Sequence, residues 1–232
     1  MSKDPIGIIG LGELGTRLAT QIISSGRTVL AYDKNQNHKI KLAKNMYKKS
    51  TSTANVEKLF LFTTLENVLK NCKIIHLAIP AGAAKNLPPM RKNQIAILHD
   101  SVMTSSFHAA KQHPDKSQFI IAHCLMNSAG RVMIAQDFGK KSRQDIAAQH
   151  FRGINLRPKL TTIVEHDRLM AKSQGLALLL KKSGVYDDLK RAADDHDLTP
   201  SGEEILHLLN HLELNWTEET ITSLLKNPYI QN

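Results

Sequence analysis

The sequence predicts an α/β chain, a doubly wound parallel sheet followed by a small all-helical part. Three observations carry this. Over residues 1–164 short apolar runs alternate with segments of helical spacing, the pattern of strands joined by crossover helices. From 165 to 232 the strand pattern stops and only helical spacing remains. A length of 232 residues, with 41% hydrophobic and 22% charged residues, suits a real core in one large domain or one domain with a smaller partner.

The elements follow in order. Pro5–Gly10 reads as a first buried strand. Leu14–Ser25 has helical spacing, closed by Gly26, a residue suited to the left-handed turn that ends a helix. Thr28–Tyr32 is a second strand, Lys39–Lys48 a basic helix, Lys58–Phe62 a third strand and Leu65–Asn71 a short helix. Lys73–Ile79 is a fourth strand, stopped by Pro80. Gln94–His99 is a fifth, followed by a helix over Ser101–Gln112. Gln118–Ala122 and Arg131–Ala135 are the sixth and seventh strands, Arg143–Phe151 a helix and Leu160–Val164 an eighth strand. Helical spacing then covers Asp167–Leu180, Tyr186–Ala193, Glu203–Leu212 and Thr217–Leu225, the last ended by Asn227-Pro228. The boundary between the two parts falls at Val164, giving residues 1–164 and 165–232.

Composition narrows the partners. Thirty-one Lys+Arg against twenty-one Asp+Glu gives +10, a balance that favours anionic partners. The basic residues are spread along the chain and aromatics are only 5%, so a solvated basic surface is expected and nucleic-acid binding is not. No apolar run approaches the ~18 residues of a membrane helix. Ile6–Leu14 is broken by three glycines and Glu13, which does not suit a secretory signal. Two cysteines, Cys72 and Cys124, without an export signal point to a reducing cytoplasm and no disulfide framework. Eleven histidines occur without a metal-binding spacing. The nearest pattern is His207 and His211 on one helix, and no metal is expected.

The strongest motif is Gly10-Leu11-Gly12-Glu13-Leu14-Gly15. It matches Gly-x-Gly-x-x-Gly, follows a buried strand and opens a helix, and the second strand ends in Asp33. That is the dinucleotide fingerprint of a Rossmann-type sheet in its required context. Gly10 allows the tight turn, Gly12 lets a pyrophosphate approach the backbone, and Gly15 lets helix and strand pack closely. The helix N-terminus supplies N–H groups and a positive dipole end. Asp33 suits the ribose hydroxyls and repels a 2′-phosphate, so NAD is favoured. Lys34 beside it leaves NADP open. Ligands of such sheets sit outside the carboxyl ends of the strands. Ala78, Ile79 and Pro80 are therefore expected to edge the cofactor, and His99, Asp100, Ser101, His123 and Cys124 to lie nearby. His123 is a candidate for proton chemistry or a polar strand-end residue satisfied locally. Cys124 carries no local sign of an activated thiol, and His76, inside the fourth strand, reads as a core histidine.

These stations, in order, resemble the prephenate dehydrogenase family. They are Ile9 to Gly15, Leu77-Ala78-Ile79-Pro80, Asp100-Ser101-Val102, His123, and Glu165-His166-Asp167-Arg168-Leu169-Met170-Ala171 with Gln174. Asn227-Pro228-Tyr229 completes the set. The resemblance implies a nucleotide-binding α/β domain and a helical domain that binds substrate and dimerises. It implies oxidative decarboxylation of prephenate to 4-hydroxyphenylpyruvate with NAD accepting hydride. His123 would accept a hydrogen bond from the ring hydroxyl and Ser101 would orient it. The chain departs from the family pattern in having Cys124 after the histidine and Leu178 on the first C-terminal helix. It also has no arginine past Arg191, where the family grips a carboxylate. Two further readings therefore stand beside the first: a dehydrogenase for another small carboxylate, and a non-catalytic NAD-binding module. The apolar run Leu176–Leu180 reads as a buried helix, either within the helical part or against a second copy, and the resemblance implies the second, a homodimer through the C-terminal helices.

Overall fold

The computed structural model describes residues 4–35, 59–125, 130–172, 183–194, 199, 202–203, 205–206, 210, 221–222 and 225–230. The chain divides into two compact units, Met1–Ile163 and Val164–Asn232.

The first unit is an eight-stranded sheet in the order β3-β2-β1-β4-β5-β6-β7-β8. Its strands are β1 (Ile6–Ile9), β2 (Val29–Tyr32), β3 (Phe60–Phe62), β4 (Ile74–Leu77), β5 (Ile95–His99), β6 (Phe119–Cys124), β7 (Arg131–Ala135) and β8 (Arg157–Thr161). The helices between them are α1 (Glu13–Ser24), α2 (Leu65–Asn71), α3 (Ala81–Ala84), α4 (Met103–Lys111) and α5 (Lys141–Gly153). All β1–β6 pairings are parallel, as the alternation of strands and helices predicts.

The last two strands reverse direction. β7 pairs antiparallel with β6, and β8 pairs parallel with β7. The connection 125–130 is too short for a parallel crossover, which takes about a dozen residues or more. Between β7 and β8, α5 supplies one. The reversal places the amino ends of β7 and β8 at the carboxyl end of β6.

The central strands of the sheet are buried on both faces. On one, Ile8, Ile97 and Ile120 pack with Leu18 and Ile22 of α1 and Phe151 of α5. On the other, Leu77, Leu98 and Phe119 pack with Val68 of α2 and Ala110 of α4, and Ile121 and Met133 pack with Met103. Successive strand residues alternate between these faces, so odd-numbered residues of β6 and β7 point toward α4 and even-numbered ones toward α5. Each fully buried Leu, Ile or Phe side chain is worth roughly 1.5–3 kcal/mol. β8 is an edge strand and carries Pro158 and the exposed Arg157 and Lys159, features that blunt edge pairing.

Several boundaries differ from expectation, α3 is an added helix, and three of the differences bear on the site. β6 runs on through His123 and Cys124, because pairing with Met133 and Val132 keeps them extended. The eighth strand is Arg157–Thr161 rather than Leu160–Val164. The carboxylate of Asp137 takes the Ile163 N–H at 3.1 and 3.2 Å, so Ile163 and Val164 open helix α6 (Ile163–Met170). Helix α4 starts at Met103, after a turn in which Asp100 Oδ1 accepts the Val102 N–H.

The second unit contains the rest of α6 and α7 (Val185–Asp194). His166 and Asp167 are fully buried, with Nδ1 2.8 Å from Oδ1. Buried Asn227 donates to the Asp167 carbonyl at 2.8 Å and accepts from Tyr229 N–H at 3.0 Å, tying the 227–229 turn to α6. Arg168 lies over the Tyr229 ring at 5.2 Å. Acidic Asp187 and Asp188 open α7 and basic Arg191 closes it, which suits the helix dipole. Among the described residues of this unit there is no strand. The expected helix Lys39–Lys48, the segment 126–128, Gln174, Leu176–Leu180 including Leu178, His207, His211 and 217–220 lie outside the described residues.

Candidate functional site

The glycines of the fingerprint divide the work. Gly10 has φ +94°, and a Cβ there would lie 2.3 Å from the Ala78 carbonyl oxygen. At Gly15 a Cβ would lie 1.9 Å from the Gly10 carbonyl oxygen, so only glycine lets α1 seat this close to β1. Gly12 is different: nothing lies within 4 Å of a Cβ there. It occupies the N-cap position of α1, and no side chain caps that end. The open side of Gly12 and the uncapped first turn form a cradle fitted to a phosphate.

Asp33 completes the cradle. Its Oδ2 accepts the Leu11 N–H and its Oδ1 accepts the Asn35 N–H at 2.7 Å, so the carboxylate is held against the turn from strand β1. Leu11 is buried and Leu14 packs on the same core, so both act through backbone and packing. The Glu13 side chain turns away to pair with Arg17 at 2.7 Å in a solvent-exposed ion pair. Lys34 is exposed. Ala78 N–H donates to the Ile9 carbonyl at 2.9 Å, continuing the β1–β4 pairing, and Pro80 opens α3. Gly10, Asp33 and Ala78 therefore gather at the carboxyl ends of β1, β2 and β4, where the strand order reverses.

The next two strands carry the proton-chemistry candidates. The Asp100 N–H donates to the Ala122 carbonyl at 3.2 Å, which brings the Asp100–Ser101 turn beside His123. Asp100 Oδ2 accepts from the Ser106 hydroxyl at 3.1 Å. Ser101 and His123 are half-buried, and His123 faces the α4 side of the sheet. Cys124 faces the opposite side and is buried. Burial pushes its thiol well above the usual range, which does not suit a nucleophile.

Under Cys124 lies a cluster that sequence reasoning did not assemble. His99 Nδ1 is 3.5 Å from Cys124 Sγ, and His99 Nε2 is 2.8 Å from His76 Nδ1. His76 Nε2 is 2.8 Å from His150 Nε2, and His150 Nδ1 is 3.3 Å from an Arg27 guanidinium nitrogen. Arginine only donates, so His150 Nδ1 must accept. Each imidazole can then be neutral with one N–H passed along the chain: His150 Nε2–H to His76, His76 Nδ1–H to His99, His99 Nδ1–H to Cys124. Burial lowers all three imidazoles, His99 and His150 to about 3 and His76 well below its usual range; neighbouring imidazoles add to it at His76 and His99, and the Arg27 charge adds to it at His150 and His76. His76 is a core histidine, as expected. The cluster was visible in outline, since His76, His99 and His150 each interrupt an otherwise apolar buried face. Both ring nitrogens of His76 are used within the chain, and among the described residues no group is arranged to hold a metal.

Comparison with known proteins bears on this geometry. Residues 5–101 match the family described as the NAD binding domain of 6-phosphogluconate dehydrogenase. This stretch is an NAD-binding domain. Its cradle is built as such a domain requires, with Gly12 open, Asp33 poised and Gly15 close-packed. No curated protein matches the chain in sequence. Among solved structures it is similar to the Aquifex aeolicus prephenate dehydrogenase in complex with hydroxyphenyl propionate and NAD+. That match has 14% identity, covers 99% of this chain and 85% of that one, and has a TM-score of 0.73. It is similar to Synechocystis arogenate dehydrogenase, with 17% identity, 98% and 87% coverage and a TM-score of 0.65. It is also similar to (S)-3-hydroxybutyryl-CoA dehydrogenase from Ralstonia eutropha, with 14% identity, 79% and 73% coverage and a TM-score of 0.61. At these identities the likeness is one of fold alone.

Proposed function

We propose that the chain is an NAD-dependent dehydrogenase of the prephenate dehydrogenase type, converting prephenate to 4-hydroxyphenylpyruvate by oxidative decarboxylation. The observation that supports it most is the placement of His123 and Ser101 at the carboxyl ends of β6 and β5. They lie one strand apart and on the same sheet edge as the NAD cradle. Gly10 to Gly15, Asp33 and the Ala78-Ile79-Pro80 edge hold the dinucleotide, with Lys34 exposed at its rim. When bound, NAD supplies the hydride acceptor. His123 takes the proton of the substrate hydroxyl as that carbon becomes a carbonyl, and Ser101 orients the hydroxyl. The loss of carbon dioxide as the ring becomes aromatic leaves the protein mainly a task of orientation.

On the same reading residues 165–232 serve substrate binding and dimerisation, and the protein works in the cytoplasm as a homodimer. A light-scattering mass near 25.9 kDa, the monomer value, would overturn the dimer.

The test is NADH formation from prephenate with saturating NAD, run beside His123→Asn. Turnover is expected, with kcat lowered roughly 10²- to 10⁴-fold in the variant. No NADH from prephenate or arogenate, or full activity in His123→Asn, would overturn the assignment. A second reading, a dehydrogenase for another small carboxylate, is favoured by the departures from the family pattern noted in the sequence, Cys124 after His123 and no arginine past Arg191. It predicts turnover of a different hydroxy acid with the same dependence on His123. NAD binding without turnover of any substrate would instead mark a non-catalytic module.

A further inference from the structure

The reversal of β7 and β8 has a chemical consequence beside His123. In the β6–β7 register His123 stands opposite Met133, and Leu125 donates its N–H to the Arg131 carbonyl at 3.0 Å. Arg131 is therefore the diagonal neighbour of His123, on the same face and about 7–8 Å away, within reach of a long side chain. Arg131 is paired with Arg157, and Met133 with Lys159, so both extra cations share that face. Two rungs result. One reads His123, Met133, Lys159, and the next, farther out at the ligand end, reads Leu125, Arg131, Arg157.

Adjacent strands are about 4.8 Å apart, so Arg131 and Arg157 stand side by side with like charge, an arrangement a sheet disfavours unless an anion lies between. Both are exposed. Six of the nine arginines in the chain are engaged locally: Arg17 by Glu13, Arg27 by His150, Arg91 by the Cys72 carbonyl, Arg143 by the Ser117 and Lys92 carbonyls, Arg168 by the Tyr229 ring and Arg191 by Asp188. Among the described residues Arg131, Arg152 and Arg157 have no such partner, and of these only Arg131 and Arg157 stand side by side at the His123 end of the sheet. The second unit's two arginines, Arg168 and Arg191, are both among the engaged.

We infer that Arg131 and Arg157 are a carboxylate-binding pair that holds an anionic substrate beside His123. The guanidinium fork matches a carboxylate in geometry as well as charge. The assignment of a carboxylate rather than another oxyanion rests on the reaction proposed above. Lys159, one rung inward, adds positive potential without the fork.

The experiment uses the NAD-loaded full chain. Phenylglyoxal modification of arginines is mapped by peptide mass spectrometry, with and without malonate, and separately with inorganic phosphate. Malonate is expected to slow modification of Arg131 and Arg157 at least several-fold while Arg152, exposed on α5, reacts at an unchanged rate. In parallel, hydroxyphenyl propionate and its uncharged amide are titrated into wild type, Arg131→Gln and Arg157→Gln. Each variant is expected to lose roughly ten- to a hundredfold in affinity for the acid, little for the amide, and none for NAD. Equal reaction of all three arginines with and without malonate, or protection by phosphate alone, overturns the pair. So does unchanged acid affinity in both variants. Prephenate turnover is assayed alongside. Malonate protection without turnover of prephenate or arogenate strikes the reaction and leaves the pair standing, whereas turnover without protection strikes the pair alone.

Discussion

His76 and His99 share a hydrogen bond of 2.8 Å in the dry interior of the sheet, their rings stacked with centroids 5.1 Å apart. Neither can be charged there without placing an unpaired cation against Phe151 and the β-strand core. With His150 they form a chain whose direction is set at one end by Arg27 and which ends on the sulfur of Cys124. It ties the α5 face of β4, β5 and β6 together just below the turn that carries Ser101 and the strand that carries His123.

Stability should fall steeply in acid. His99 and His150 have folded-state values of about 3 against 6.5 for a free imidazole, and His76 shifts the same way. The unfolded chain therefore binds more protons than the fold between those limits. The stabilisation is complete above about pH 6.5 and drains away as pH falls toward 3, by up to roughly 1.4 kcal/mol per pH unit for each group. Urea unfolding should show its midpoint dropping markedly between about pH 7 and pH 5. An unchanged midpoint over that range would show that the three imidazoles are not held neutral.

Gly12→Ala and Gly15→Ala should separate binding from folding. A Cβ at Gly12 meets nothing, so stability should change by less than about 1 kcal/mol while NAD affinity collapses, because the methyl fills the phosphate cradle. A Cβ at Gly15 runs into the Gly10 carbonyl, so that variant should lose stability itself, by about 3 kcal/mol or more. Thermal melts with and without NAD distinguish the two. A Gly12→Ala protein that still gains stability from NAD as wild type does would refute the cradle.

Asp33→Asn should relax the cofactor preference. The amide oxygen still accepts the Leu11 N–H, so the turn survives, but the charge that repels a 2′-phosphate is gone. The ratio of NAD to NADP affinity should fall by roughly tenfold, about 1.4 kcal/mol. Titration of both dinucleotides against each protein measures it, and an unchanged ratio would move discrimination to another residue, with exposed Lys34 the first to examine.

Much of this was legible in the chain itself. The β1–α1 turn and Asp33 declared the nucleotide site because their geometry is local: a glycine at positive φ, a helix start a few residues later, and a carboxylate at the end of the next strand. The order of the strands through β6 follows from hydrophobic alternation, which depends only on near neighbours, whereas the short helix α3 (Ala81–Ala84) after Pro80 is not legible in that pattern. The α6 start is not legible locally because the residue that fixes it, Asp137, lies far back in the sequence. The reach of β6 through His123 and Cys124 is hidden for the same reason, since their partners lie on β7.

What the tertiary structure alone decided are the relationships that join distant residues. The direction of β7 depends on a short connection rather than on residue preference, and it brings Arg131 and Arg157 to the His123 end of the sheet. The histidine chain needs β4, β5 and α5 in register, with His150 separated from His76 by 74 residues. Periodicity shows which face a residue takes, because side-chain direction is a property of the backbone at that residue. It does not show which other residue shares that face, because pairing is chosen by the packing of the whole sheet.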